Sequence, residues 1–361
     1  MTSAFSTILT LAVLLIGFTF AINNRPVIGI LTIPSSFTSR PPENYSYFPA
    51  SYAKFVESVG ARVIPIPYDA PFENITFLLN QINGVIFTGG GANKTARYEN
   101  GTKGPSDLSK AAAHILNHVL EANKKGENFP LWATCMGMEI LPMALSNTWT
   151  LTTTLPAQNH AQSPITFYND ARENSKLWGS LPPELKFYAM TSPAFHYHHK
   201  NVIYPYKFLT APVIPQVLRI TAISYPAAGG SPFIAAYEGI EYPIFGTQFH
   251  PEKLAFEWMP QVKAPHYTDA IDIARRMAHT FVNEARKNNR KFISNEILQN
   301  SLLANWDFSQ RSSSFMQVYL FRTVLQEPTS WPALFNLPKQ NKTPVTKISA
   351  RPKGSSYDDE E

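Results

Sequence analysis

Phe129-Pro-Leu-Trp-Ala-Thr134 runs without a spacer into Cys135, and Met136 to Leu145 then carries apolar residues at helical spacing. A short apolar run that turns directly into a helix reads as a buried strand of a sheet whose faces are covered by helices. Upstream, Val27-Ile-Gly-Ile-Leu-Thr32 lies between Pro26 and Pro34 and reads as a strand, followed by a helix from Tyr52 to Val59 that ends at Gly60. Arg62-Val-Ile-Pro-Ile-Pro67 is a second strand, Ile75 to Ile82 a short helix, and Gly84-Val-Ile-Phe-Thr88 a third strand ending in Gly89-Gly90-Gly91. Leu108 to Ala122 supplies the next helix. This alternation predicts an α/β fold, a three-layer sandwich around a mostly parallel sheet. From Trp149 to Tyr237 the helical period is weak and Thr, Tyr, Ile, Val and Pro dominate, which predicts strands and long loops added to one side. Glu241-Tyr-Pro-Ile-Phe-Gly-Thr-Gln-Phe249 is a further strand, and Ile271, Ala274, Met277, Ala278, Phe281 and Val282 mark the apolar stripe of a long helix. The cationic end of that helix, Arg286, Lys287, Arg290 and Lys291, suits the helix dipole.

The chain has 361 residues, 44% hydrophobic and 16% charged, enough for one large core or two modest ones and too apolar to be disordered throughout. A net charge of +5 without a dense Lys/Arg block argues against a nucleic-acid partner. One cysteine excludes an internal disulfide and every multi-cysteine metal site. Ile8 to Ala21 is too short to cross a bilayer and reads as a secretory signal peptide over 1–21, with Thr19 and Ala21 at the small-residue positions and cleavage after Ala21. No Lys or Arg precedes the run, and an uncleaved anchor is the alternative; after cleavage no membrane association is expected. Asn44, Asn74, Asn93, Asn100 and Asn341 each begin an N-glycosylation tripeptide, meaningful in a chain that enters the secretory route. The expected organisation is a catalytic domain over 22–295, a C-terminal segment of it over 296–325, and a disordered tail over 326–361 that closes on four acidic residues.

Cys135 falls where the fourth strand becomes a helix, and a thiol facing the positive end of that helix is expected to have a lowered pKa. The plain alternative is a buried structural cysteine. Gly137 relieves crowding at a tight strand-to-helix turn, the backbone N–H of Met136 points toward an oxyanion at the attacked carbonyl, and the Gly89-Gly90-Gly91 loop offers a second donor. A plain glycine turn is the alternative for that loop; a phosphate cradle would need Gly-Lys-Ser/Thr after it. His250 lies immediately after the last predicted strand, at the same rim of the sheet, and Glu252 follows across Pro251, giving a Cys-His-Glu triad with His250 as base and then acid.

Thr134-Cys-Met-Gly-Met-Glu139 followed by Gly246-Thr-Gln-Phe-His-Pro-Glu252 resembles the class I glutamine amidotransferase-like superfamily, a flavodoxin-like fold. With Arg25-Pro-Val-Ile-Gly-Ile-Leu, the segment from Ser51 to Val63, Val85-Ile-Phe-Thr-Gly-Gly-Gly, Tyr242 to Lys253 and Val282 to Asn289, the chain is similar to the gamma-glutamyl hydrolase branch from about Arg25 to Phe292. The resemblance implies a lysosomal, vacuolar or secreted cysteine peptidase that cleaves γ-glutamyl bonds of folate or antifolate polyglutamates, without a cofactor or metal and commonly as a homodimer. It implies Cys135 as nucleophile, His250 as general base, Gly90 and Met136 as oxyanion donors and Glu252 as triad acid. Glu139 would accept from a substrate α-amino group, with a plain helix-face carboxylate as the alternative. His196, or in a shifted register His198 or His199, would approach the site. Phe249, where a Trp is frequent, and the extension beyond Phe292 depart from the family pattern.

Two rivals remain. Glutamine amidotransfer shares the nucleophile and the histidine, but this sequence shows no synthase domain to receive ammonia and reads as exported. A secreted binding protein that has lost activity has no chemical reason to retain Cys135, His250 and Glu252 together.

Overall fold

Five strands made almost wholly of buried residues lie parallel, in the order Arg62–Ile66, Val27–Leu31, Gly84–Phe87, Leu131–Thr134 and Ile244–Thr247. Numbered along the chain this is 2-1-3-4-5, the flavodoxin-like order. The computed structural model describes residues 22–324 except 38–39, 100, 307 and 311–314. The predicted leader, Asn100, Asn341 and the tail 326–361 therefore lie outside the described residues.

Right-handed crossovers decide which face each helix covers. The step from Val27–Leu31 to Arg62–Ile66 runs toward one edge, and the later steps run toward the other. Ala50–Glu57 therefore shares a layer with Thr268–Arg286, while Phe72–Leu79, Asp107–Lys124 and Met136–Ser146 form the opposite layer. Trp132, buried in the central strand, shows the first layer's packing through ring contacts with Phe55 at 5.6 Å and Phe281 at 6.0 Å. The structure is the expected three-layer sandwich, with helix ends within a few residues of those read from periodicity.

Beyond Ile244–Thr247 the sheet continues antiparallel through Phe233–Gly239, Leu218–Ser224 and Thr166–Phe167. A separate ribbon pairs Thr153–Ser163 with Phe195–Val202. The stretch expected to hold only strands and loops also contains helices Ala171–Asn174, Pro183–Thr191, Pro205–Thr210 and Ile214–Val217. They are too short to display an apolar stripe, and proline in the first turn starts the last three.

The segment after residue 296 is built into the molecule. Gln317–Arg322 pairs with Tyr45–Pro49, which also pairs with Ile33–Pro34, and Phe308–Gln310 completes a four-stranded antiparallel sheet. Phe321, 1% exposed, packs on Phe48 at 5.2 Å and Trp306 at 5.1 Å. Among the described residues no helix is long and apolar enough to cross a membrane.

Candidate active site

The C-terminal ends of the parallel strands open into a cleft of about 680 Å³. Cys135 lies on its floor, between Leu131–Thr134 and Met136–Ser146, with φ 51° and ψ −111°. A non-glycine residue at positive φ is strained, and the strain is held by its neighbours. Cys135 N–H donates to Thr247 O at 2.7 Å, and Gly137 N–H donates to Thr88 O at 3.1 Å. Gly137 cannot carry a side chain, because a Cβ there would stand 2.5 Å from Phe87 O.

Burial pushes the Cys135 thiol up to about 12, and the nearby Glu139 carboxylate pushes the same way. Lys253, Lys94 and the Met136 backbone N–H, which bonds the sulfur, act in the opposite direction without prevailing. The lowered thiol pKa expected from the helix terminus is thus reversed: desolvation of a side chain this deeply buried outweighs the helix end. Cys135 Sγ donates to His198 O at 3.5 Å.

His250 follows the strand Ile244–Thr247 at the same rim, and its backbone N–H donates to His196 O at 2.9 Å. Its Nδ1 lies 2.7 Å from Glu252 Oε1, the separation at which a carboxylate fixes the imidazole tautomer and supports an imidazolium. Pro251–Lys253 is a single 3₁₀ turn, which places the two side chains side by side. Glu252 is 1% exposed; burial pushes its carboxyl up to about 7, opposed by Lys253 and by the Tyr52 hydroxyl lying against it.

Gly89 is where these groups converge. A Cβ built there would lie 2.8 Å from Tyr52 Oη, 2.9 Å from His250 Cε1 and 3.1 Å from Cys135 Cβ. Gly90, at φ 152°, turns with Ile33 Cδ1 only 2.3 Å from where its Cβ would be. Gly90 and Met136 both line the cleft beside the thiol.

Glu139, one turn past Cys135, is buried in the wall; Gln248 Nε2 donates to its Oε1 at 3.3 Å, and Lys94 pairs with its Oε2. His196 is fully buried, its ring 5.9 Å from that of His250, and the wall itself is formed by His198 and His199. A register irregularity between Tyr197 and His199 breaks the strand alternation, so that these two neighbours both reach the cleft. Asn93 is exposed at the rim, Asn44 is half-buried, and Asn74 is half-buried within Phe72–Leu79. Among the described residues no cluster of three or more His, Cys, Asp or Glu is arranged to hold a metal.

Tyr52, Lys94, Gln248 and Lys253 received no role from sequence. Lys253, 3% exposed, carries its Nζ 5.6 Å from the Phe315 ring centroid and bears electrostatically on both Cys135 and Glu252. Its place directly after Glu252 was the available signal. Lys94 carried none, because a charged residue in a glycine-rich loop reads as solvated.

The family described as Peptidase C26 matches residues 26–252, a span that runs from the first strand through Glu252. Gamma-glutamyl hydrolase B of Dictyostelium discoideum is 34% identical over 306 residues, covering 84% of this chain and 84% of that protein. Gamma-glutamyl hydrolase 1 of Arabidopsis thaliana is 33% identical over 306 residues, covering 83% and 84%. Gamma-glutamyl hydrolase of Homo sapiens is 31% identical over 301 residues, covering 82% and 90%.

Proposed function

The chain belongs to the gamma-glutamyl hydrolases of the Peptidase C26 family, and from that premise we propose that it hydrolyses folate or antifolate poly-γ-glutamates through a thioester on Cys135. The observation that carries this reading is the meeting, at one end of the sheet, of a thiol on a strained strand-to-helix turn with a His250–Glu252 pair at 2.7 Å.

Cys135 Sγ attacks the γ-amide carbonyl carbon as its proton passes to His250. The oxyanion of the tetrahedral intermediate takes the backbone N–H groups of Met136 and Gly90. Collapse breaks the C–N bond, and His250 returns the proton to the departing amine. Water, deprotonated by His250, then attacks the thioester and releases the γ-carboxylate and the free thiol. Glu252 holds the ring and stabilises the imidazolium in both halves. Glu139, with His198 or His199 in the cleft wall in place of the buried His196, completes the substrate side, and no cofactor takes part.

Purified protein incubated with a folate pentaglutamate and, separately, with free glutamine, beside a Cys135→Ala control, tests the reading by mass spectrometry. Loss of γ-linked glutamates, abolished in the control, is expected. Ammonia release from glutamine alone would instead favour the amidotransferase-like alternative, and no product from a folded protein would favour a binding protein of the same fold.

The remaining parts of the reading are a leader removed after Ala21, glycans on Asn44, Asn74, Asn93 and Asn100, a homodimer, and a lysosomal, vacuolar or extracellular destination. Peptide mapping before and after endoglycosidase treatment, with sedimentation of the secreted protein, tests them together.

A further inference from the structure

We propose that Lys94 makes this site selective for γ-glutamyl residues whose α-nitrogen is acylated, by neutralising Glu139 and offering its ammonium to the free α-carboxylate. The inference rests on the γ-glutamyl reading above and names the residue that decides which γ-glutamyl compounds fit. A buried carboxylate on the wall beside the nucleophile, left to itself, attracts a substrate ammonium and repels a substrate carboxylate. Glu139 is not left to itself: Gln248 holds one oxygen at 3.3 Å and the Lys94 ammonium holds the other. An internal residue of a poly-γ-glutamate has no α-amino group; its nitrogen is an amide, and its exposed charge is an α-carboxylate. Glutamine and an unblocked γ-glutamyl dipeptide carry an α-ammonium in addition.

The placement of Lys94 is built in. Its backbone carbonyl accepts from Ser109 Oγ at 2.7 Å and from Ser106 N–H at 3.1 Å, which ties the loop after Gly89-Gly90-Gly91 to the start of Asp107–Lys124. The side chain is 13% exposed and the residue lines the cleft while Glu139 holds its ammonium. An ammonium has three donors, and the Glu139 contact uses one. Lys103, Lys200 and Lys253 line the same cleft and keep its charge favourable to carboxylates.

The test compares N-acetyl-γ-glutamyl-γ-glutamate with γ-glutamyl-γ-glutamate, which present the same scissile bond with and without the acyl group. Lys94→Met is expected to lower kcat/KM on the acetylated dipeptide about tenfold or more, mainly through KM, while activity on the unblocked dipeptide holds or rises. Lys94→Arg is expected to keep the wild-type preference. The double variant Lys94→Met with Glu139→Gln removes the unpaired buried charge and guards against misfolding; it is expected to stay impaired on the acetylated dipeptide. Equal loss on both dipeptides, or a wild-type preference in the double variant, would reduce Lys94 to a structural counter-ion and overturn the proposal. Wild-type enzyme inert on both dipeptides and on folate polyglutamates would overturn the γ-glutamyl reading itself, and the proposal with it.

Discussion

The hydroxyl of Tyr52 accepts the Gly89 N–H at 2.7 Å while it lies against the Glu252 carboxyl, so one phenol joins the loop beside Cys135 to the side chain behind His250. Tyr52 is a positioning residue on this geometry. Tyr52→Phe is expected to lower kcat about tenfold with little change in KM, the size of one buried hydrogen bond of roughly 1–1.5 kcal/mol. Steady-state kinetics with a polyglutamate substrate check this, and a change confined to KM would contradict it.

Glu252 gives a pH signature in stability. Its folded pKa of about 7 stands above the ordinary 4.5, so between those values the native state binds the proton and the unfolded state has released it. The contribution to stability is full below about pH 4.5 and is lost as pH rises through about 7. Burial raises Glu139 and Glu257 in the same direction. Thermal melts are expected to fall from acid toward neutral pH, with a shallower fall in Glu252→Gln.

Cys135 predicts how the resting enzyme meets an alkylating reagent. With the thiol at about 12, carboxamidomethylation followed by mass spectrometry should keep accelerating beyond the range of an ordinary cysteine, about pH 8.5. A plateau near neutrality would show that the thiolate forms without substrate.

Gly137→Ala should damage fold and chemistry together. The added methyl would meet Phe87 O at 2.5 Å, backbone that cannot swing aside, directly under the turn that presents Cys135. A loss of about 1–3 kcal/mol in denaturant melts is expected, with activity falling further than the unfolded fraction accounts for.

Phe321→Ala tests the late strand. Removing a ring 1% exposed between Phe48 and Trp306 is expected to cost about 3–5 kcal/mol, read by chemical denaturation.

The parallel strands were legible because both of their faces are buried: Val27–Leu31 and Gly84–Phe87 have no polar side to disguise them. Cys135 and His250 were legible because each follows the end of a parallel strand, where chain order alone places it on one rim, and Glu252 because it stands one short turn beyond. Tyr45–Pro49 was not, since its meaning lies in pairing with Gln317–Arg322, far away in sequence. Pro183–Thr191 has no apolar stripe, and Phe195–Val202 reads as a polar histidine tract although it walls the cleft. The thiol pKa was misjudged for a similar reason: the helix end is a local feature, whereas the burial that outweighs it comes from the whole assembled wall.

That wall also has a timetable. Phe315 lines the cleft, and the strand that follows it is fastened to Tyr45–Pro49, with Thr323 Oγ1 donating to Glu43 O across 280 residues of chain. Synthesis delivers Cys135 and His250 long before that strand emerges, and domains fold as units once their last element is available. A nascent chain halted shortly after His250 would therefore hold every proposed catalytic group with one side of its cleft unbuilt. Activity should switch on late in biosynthesis, when the chain near residue 324 becomes free to dock.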